Sequence, residues 1–174
     1  EFDRAGDWLD VSLGRLDGQL SEQVNEDGSH IELSTGYQLL AIDEFETTLD
    51  LLETSAVDRL QEKFRGRLKT MYEFLAYLVR PDGSIPQIND GFLLWGLERI
   101  KKAARRFGQP ELEYIESFGE SGCKPNLDSR AFGNAGLFVM RSSWKKDANW
   151  LLFDSGPYGG PHGHEDKLSI EVCA

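Results

Sequence analysis

The spacing of apolar residues changes once along this chain, and that change constrains the fold more than any other feature. Over residues 7–24, Trp8, Leu9, Leu13, Leu16, Leu20 and Val24 recur three, four or seven apart. On a helical period they form one stripe. Asn25-Glu26-Asp27-Gly28 is a turn signal that stops this helix. Ser34-Thr35 offers caps for a second helix over 36–52, whose apolar positions are Tyr37, Leu40, Ile42, Phe45, Leu49 and Leu52. A third helix is expected over about 57–79, closed by Pro81, which cannot continue it, and by Gly83. A fourth is expected over 91–107, ending at Gly108, and a short fifth over 110–118.

Past Gly119 the pattern becomes that of strands. Residues 135–141 and 150–153 are short apolar or β-branched runs. Residues 167–172 alternate, with Leu168, Ile170 and Val172 on one side and Ser169 and Glu171 on the other. Helical hairpins followed by strands argue for an α+β multidomain architecture laid out in sequence order, not a mixed α/β sheet. The expected division is a helical part over 1–120 and a strand part over 121–174. No βαβ alternation is present, and no Gly-rich phosphate loop follows a strand.

Charge narrows the partners. The net charge is −11, which argues against nucleic acid, whose binding needs clustered Lys and Arg. The one basic cluster, Lys101, Lys102, Arg105 and Arg106, reads as a solvated helix face. No apolar run is long enough to span a membrane. The two cysteines, Cys123 and Cys173, make neither a disulfide framework nor a CxxC metal pair, and read as buried small hydrophobes.

Two of the three histidines fall in Gly159-Gly160-Pro161-His162-Gly163-His164-Glu165-Asp166. In an extended segment, His-x-His places both rings on one face. Asp166, Leu168, Ile170 and Val172 share that parity, so an unbroken strand would run from a polar cluster into the core. Two imidazoles and a carboxylate suit metal binding or catalysis. A Gly-rich loop carrying incidental histidines fits the spacing equally well.

Tyr37 would stand in the first turn of the second helix, where the helix dipole favours negative charge. The bare sequence leaves an amphipathic core tyrosine as its simpler role. Glu32 and His30 share parity in the preceding extended piece and could flank a site. Asn89-Asp90, in the turn-rich linker from Pro81 to Gly91, reads most simply as an N-cap for the fourth helix. A substrate contact is the second reading.

Three stretches make the chain resemble the heparinase II/III family of polysaccharide lyases, which includes related alginate and oligoalginate lyases. They are Asp27-Gly28-Ser29-His30-Ile31-Glu32-Leu33-Ser34-Thr35-Gly36-Tyr37, Pro86-Gln87-Ile88-Asn89-Asp90, and Arg130-Ala131-Phe132 through Arg141-Ser142-Ser143-Trp144 to Gly163-His164-Glu165-Asp166-Lys167-Leu168-Ser169. The most specific is the His-Gly-His-x-Asp-x-Leu-Ser run from His162. The resemblance implies the C-terminal part of an (α/α) toroid followed by the first strands of an antiparallel β-sandwich. It implies β-elimination on a uronic-acid-containing polysaccharide, hence an acidic polymer as partner, and a periplasmic or secreted location. Carried over, Tyr37 matches the catalytic acid and a candidate base, and His162 the base for one uronate epimer. His164 matches a ligand of a structural zinc whose remaining ligands lie outside this chain. Glu32, Asn89, Asp90 and Asp166 are expected to touch substrate or to support these groups.

The pattern is incomplete. The family neutralises the substrate carboxylate with an Asn or Asn-His upstream of the tyrosine, and no Asn-His dipeptide precedes Tyr37 here. The chain is therefore expected to be truncated at both ends and inactive alone. Two other classes remain: a non-catalytic carbohydrate-binding protein on a lyase fold, and a toroid glycoside hydrolase. The hydrolase would need two facing carboxylates, for which Glu32 and Asp90 could be nominated.

Overall fold

The computed structural model describes residues 3–92 and 94–174. Helices α1 (Ala5–Gln23), α2 (Thr35–Thr54), α3 (Gln61–Leu78), α4 (Leu97–Phe107) and α5 (Pro110–Glu116) precede a four-stranded antiparallel sheet. A two-stranded hairpin, β1 (Ser84–Ile85) with β2 (Leu94–Trp95), lies between α3 and α4. The sheet runs in the order β3 (Arg130–Phe132), β4 (Leu137–Arg141), β5 (Trp150–Asp154), β6 (Ile170–Cys173).

Helix α3 is the centre of the molecule. Phe64, Leu68, Met71, Tyr72, Phe74, Leu75, Ala76, Tyr77 and Leu78 are all buried along it; the charged residues crowd its N-terminal half, and the unbroken run 74–78 is covered on every side, as an apolar circumference requires. Helix α2 packs on it through Phe45, edge-to-face with Phe64 at 5.8 Å. The sheet packs on it from the other side. Phe132 meets Phe74 at 4.8 Å and Tyr77 at 5.9 Å, both edge-to-face, and Trp144 meets Tyr77 at 5.1 Å, the geometry that aligns ring edges with ring faces.

Two polar clamps fix the sheet to the helices. Arg141 donates to the carbonyls of Tyr77 and Val79 at 2.6 and 2.9 Å, at the C-terminal end of α3. Orphan carbonyls and the helix dipole both favour a cation there. Burial lowers the Arg141 pKa to about 10, which leaves it charged at neutral pH. The second clamp is Asp27. One carboxylate oxygen accepts from the Ser29 N–H at 3.1 Å and the Ser29 hydroxyl at 2.6 Å. The other accepts from the N–H groups of Asn134 and Ala135 at 2.8 and 3.1 Å, in the β3–β4 turn.

Several expectations from sequence need correction. In α1, Leu13 and Leu20 are buried, but Trp8 is 53% and Leu9 43% exposed. In α2, Leu40 is 54% exposed, because Gln38 and Leu39 hold the buried face there. The fourth helix does not begin at residue 91. Strand β2 occupies Leu94–Trp95 and α4 starts at Leu97, while Leu93 lies outside the described residues. Gly96 explains the late start. A Cβ there would lie 2.4 Å from Ile85 Cδ1, so the chain is drawn tightly onto β1 before it can wind. Cys123 is exposed, against expectation, whereas Cys173 is half-buried and packs against the edge of the core.

The largest correction concerns β6. Ile170 and Val172 are 59% and 62% exposed, not inward. Leu168 precedes the strand with a φ of 74°, so the alternation is broken before it. Register sets the faces. Ile170 lies opposite Phe153 and Val172 opposite Leu151, whereas Glu171 lies opposite buried Leu152. Glu171 therefore faces the helices, where Arg80 pairs with it. Among the described residues no helix is long and apolar enough to cross a membrane.

Candidate active site

Three segments from distant parts of the chain meet beside the N-terminus of α2. The first is the turn and first helical turn from His30 to Tyr37. Ser34 is extended and precedes the helix, but its hydroxyl makes no cap hydrogen bond. Thr35 instead donates its hydroxyl to the Pro86 carbonyl at 2.9 Å and accepts from the Ile88 N–H at 3.4 Å. This docks the second segment, the 86–92 loop, against the turn that carries Tyr37. Gly91 permits the approach, since a Cβ there would sit 2.4 Å from Thr35 Oγ1. Phe92 lies over Gly36 with its ring edge at contact distance from where a Gly36 side chain would begin (3.3 Å).

The third segment is the loop carrying the two histidines. It is not a strand: Gly160–His162 is one turn of 3-10 helix. The rings still converge, through a shared partner in place of strand alternation. Asp90 Oδ2 lies 2.9 Å from His162 Nδ1, and Asp90 Oδ1 lies 2.6 Å from His164 Nε2. Those two imidazoles, by hydrogen bonding, hold the Asp90 carboxyl below the usual carboxylate range. Backbone contacts reinforce the pairing: the Asp90 N–H donates to the His162 carbonyl at 3.2 Å.

Asn89 ties all three segments together. Its side-chain oxygen accepts the His164 N–H at 2.8 Å, and its amide donates to the Leu33 carbonyl at 3.0 Å. Its φ of 53° is left-handed, a conformation asparagine tolerates better than most residues. Asn89-Asp90 is thus no helix cap, since α4 begins later, at Leu97. The glycines of the histidine loop answer to space. A Cβ on Gly163 would lie 1.6 Å from the Tyr158 carbonyl oxygen, and one on Gly159, whose φ is 80°, would lie 2.9 Å from the Glu32 carbonyl oxygen.

Tyr37 is half-buried, and the ring of His162 stacks on it. Tyr37, Asn89, Asp90, His162 and His164 therefore form one cluster. Glu32 stands apart from it, 4.0 Å from the buried His30 Nδ1, and lines a cleft of about 390 Å3 with Ile31, Leu33, Asn134 and Pro161. Burial lowers the His30 pKa, with Glu32 pulling the other way. Asp166 lies in the wall of a second cleft with His164, Tyr158 and Asp154.

Zinc does not fit the described residues by themselves. Asp90 occupies Nε2 of His164, which leaves Nδ1, and among the described residues no group of three or more His, Cys, Asp or Glu is disposed to hold an ion. A structural zinc takes four ligands.

A tyrosine stacked on an imidazole, with a carboxylate behind the imidazole, in a helical layer docked on an antiparallel sheet, brings together groups whose chemistry is that of proton transfer. The chain belongs to the heparinase II/III family: residues 1–114 match the heparinase II/III N-terminus and residues 124–174 the heparinase II/III-like C-terminal region. It is 27% identical over 180 residues to a heparin-sulfate lyase of Pedobacter heparinus, covering 99% of this chain and 27% of that protein. It is 26% identical to a heparin-sulfate lyase of Bacteroides thetaiotaomicron, covering 89% of this chain and 24% of that protein. The crystal structure of the heparan sulfate lyase from Pedobacter heparinus matches with a TM-score of 0.85 and 25% identity, over 99% of this chain and 28% of that one. The chain thus spans about a quarter of the length of the relatives it matches.

What the sequence missed was how the cluster is assembled. The Asp90 bridge and the Thr35–Pro86 dock were not anticipated. The doublet Asn89-Asp90 was the available signal, since asparagine followed by aspartate in a Pro- and Gly-flanked linker suits a bent, side-chain-bonded turn as well as a cap.

Proposed function

We propose that this chain is the toroid-to-sandwich junction of a polysaccharide lyase that cleaves uronic-acid-containing glycosaminoglycans by β-elimination. The observation that carries the reading is the stacking of Tyr37 on His162, centroids 3.8 Å apart. Elimination needs a base at the C5 proton and an acid at the departing O4. A phenol and an imidazole in ring contact are close enough to serve the two ends of one sugar–sugar bond. His162 is the base for one uronate epimer. Tyr37 protonates O4, and serves as base as well for the other epimer.

The remaining roles follow from position. Glu32, lining the neighbouring cleft, and Asn89, fixing the loop, contact or support the bound polymer. Asp166 supports the wall beside His164. Elimination also takes a group that neutralises the C5 carboxylate, beyond the roles given to Tyr37 and His162, and a zinc on His164 would need further ligands. The relatives' activity favours heparan-type polymers and an extracellular or periplasmic setting.

The test is the whole protein incubated with a panel of uronate polysaccharides, followed by the ultraviolet absorbance of the unsaturated product. A rise with the unsubstituted protein that collapses in Tyr37→Phe and in His162→Ala supports the reading. Reducing ends without unsaturation would assign a hydrolase, and tight binding without product a carbohydrate-binding protein.

A further inference from the structure

We propose that Asp90 is the positioning residue of His162: its carboxylate holds the imidazole with Nδ1 as the donor and leaves Nε2 as the lone-pair nitrogen that takes the substrate proton. This rests on the assignment of His162 as base.

A carboxylate only accepts, so the 2.9 Å contact from Asp90 Oδ2 requires the proton on Nδ1. A neutral imidazole carries one ring proton, so Nε2 is then bare. A base that presents the protonated nitrogen to substrate cannot act, and the choice between nitrogens is set by what the other one bonds.

The carboxylate is itself immobilised. Its second oxygen is 2.6 Å from His164 Nε2. Its backbone N–H is spent on the His162 carbonyl at 3.2 Å. Asn89 pins the preceding residue to Leu33 and to His164. Gly91 pins the following one against Thr35, in the turn that holds Tyr37. Asp90 therefore grips the edge of the His162 ring while Tyr37 covers its face at 3.8 Å, so rotation that would exchange the two nitrogens is blocked from two directions. The contact also couples the helical part to the strand part. The base sits on one and its orienting carboxylate on the other.

The experiment uses the whole protein with heparan sulfate as the probe polymer. In D90A, kcat should fall about 100-fold while KM stays within about threefold. Added formate should restore part of that kcat in D90A and none in H162A. Nitrogen-15 NMR of labelled histidine, with H162A identifying the resonance, should give the Nδ1–H form in the unsubstituted protein and a mixture in D90A. That readout needs no turnover, so it separates this proposal from the lyase reading. Wild-type kcat in D90A, or an unchanged tautomer, overturns the proposal. A raised KM with unchanged kcat and no response to formate overturns it as well, and marks a substrate contact. Should D90A fail to fold, D90N takes its place, with the same loss of kcat expected and wild-type kcat overturning. Wild-type kcat in H162A instead overturns the assignment of the base.

Discussion

The imidazole of His162 lies over the phenol ring of Tyr37 with centroids 3.8 Å apart and planes inclined by 26°. The stack depends on the rings and not on the phenolic oxygen. Tyr37→Phe should therefore leave the cluster and the melting temperature nearly unchanged. It should still lower kcat for β-elimination by about 100-fold or more, because only the hydroxyl can protonate a leaving oxygen. Thermal melts beside steady-state kinetics check this. A large loss of stability would show that the hydroxyl has a structural partner.

Asp27→Ala should destabilise the chain by about 2–4 kcal/mol, since it removes a charged acceptor from four donors and leaves two backbone N–H groups of the β3–β4 turn unpaired. Urea unfolding measures it. The expected loss is in the midpoint, with sheet signals and helix signals shifting together, because this residue joins the two.

Gly163→Ala should abolish the site without touching any side chain in it. A methyl group there would sit 1.6 Å from the Tyr158 carbonyl oxygen, so the loop must move and His162 and His164 move with it. Turnover should fall to the level of His162→Ala, while the core, which lies elsewhere, keeps its stability to within about 1 kcal/mol.

The helices were readable because stripe residues such as Leu13, Leu20, Ile42 and Leu49 are buried by neighbours that any amphipathic helix would find. Residues 91–96 were not, because Gly96 against Ile85 and the Ser84–Trp95 pairing are long-range facts that override local helical spacing. In β6 the alternation was visible, but alternation does not say which face is inner. Pairing with Trp150 and Leu152 decides that, and it turned Ile170 and Val172 outward. At the site, Tyr37, His162 and His164 were singled out by the family resemblance, since spacing alone left Tyr37 a core tyrosine and the histidines as well suited to an incidental loop. The bridge through Asp90 was not legible, because nothing local to residue 90 encodes a partner in the loop at 162–164.

The outer face of the sheet carries Phe138, Met140, Ile170 and Val172, 37%, 47%, 59% and 62% exposed, with Phe138 and Phe153 in ring contact at 6.1 Å. A contiguous apolar face of this kind drives association. The 174-residue chain alone should self-associate in sedimentation velocity. The double substitution Ile170→Lys, Val172→Glu, which places charge on the face without entering the inner core, should shift it toward monomer. A monomer before substitution would show that this face is too small or too polar to associate.

Stability should also fall as the solution is acidified through the histidine range, and His30 is the reason. The Glu32 N–H lies 3.4 Å from His30 Nδ1, which accepts it, so the buried ring is neutral with its proton on Nε2. Burial lowers its pKa from the ordinary 6.5, against a smaller opposing pull from Glu32. Below pH 6.5 the unfolded chain takes up a proton that the folded chain refuses, so the unfolded state binds more protons and stability declines as pH drops. The contribution is complete above that value and is lost as pH falls toward the depressed folded pKa. His30→Asn keeps an acceptor near the Glu32 N–H and removes the titration. Its stability should therefore vary less between neutral and mildly acidic pH than that of the unsubstituted chain, as measured by urea unfolding across the range. Equal slopes for the two proteins would mean that His30 titrates alike folded and unfolded, and that its burial costs the charged form nothing.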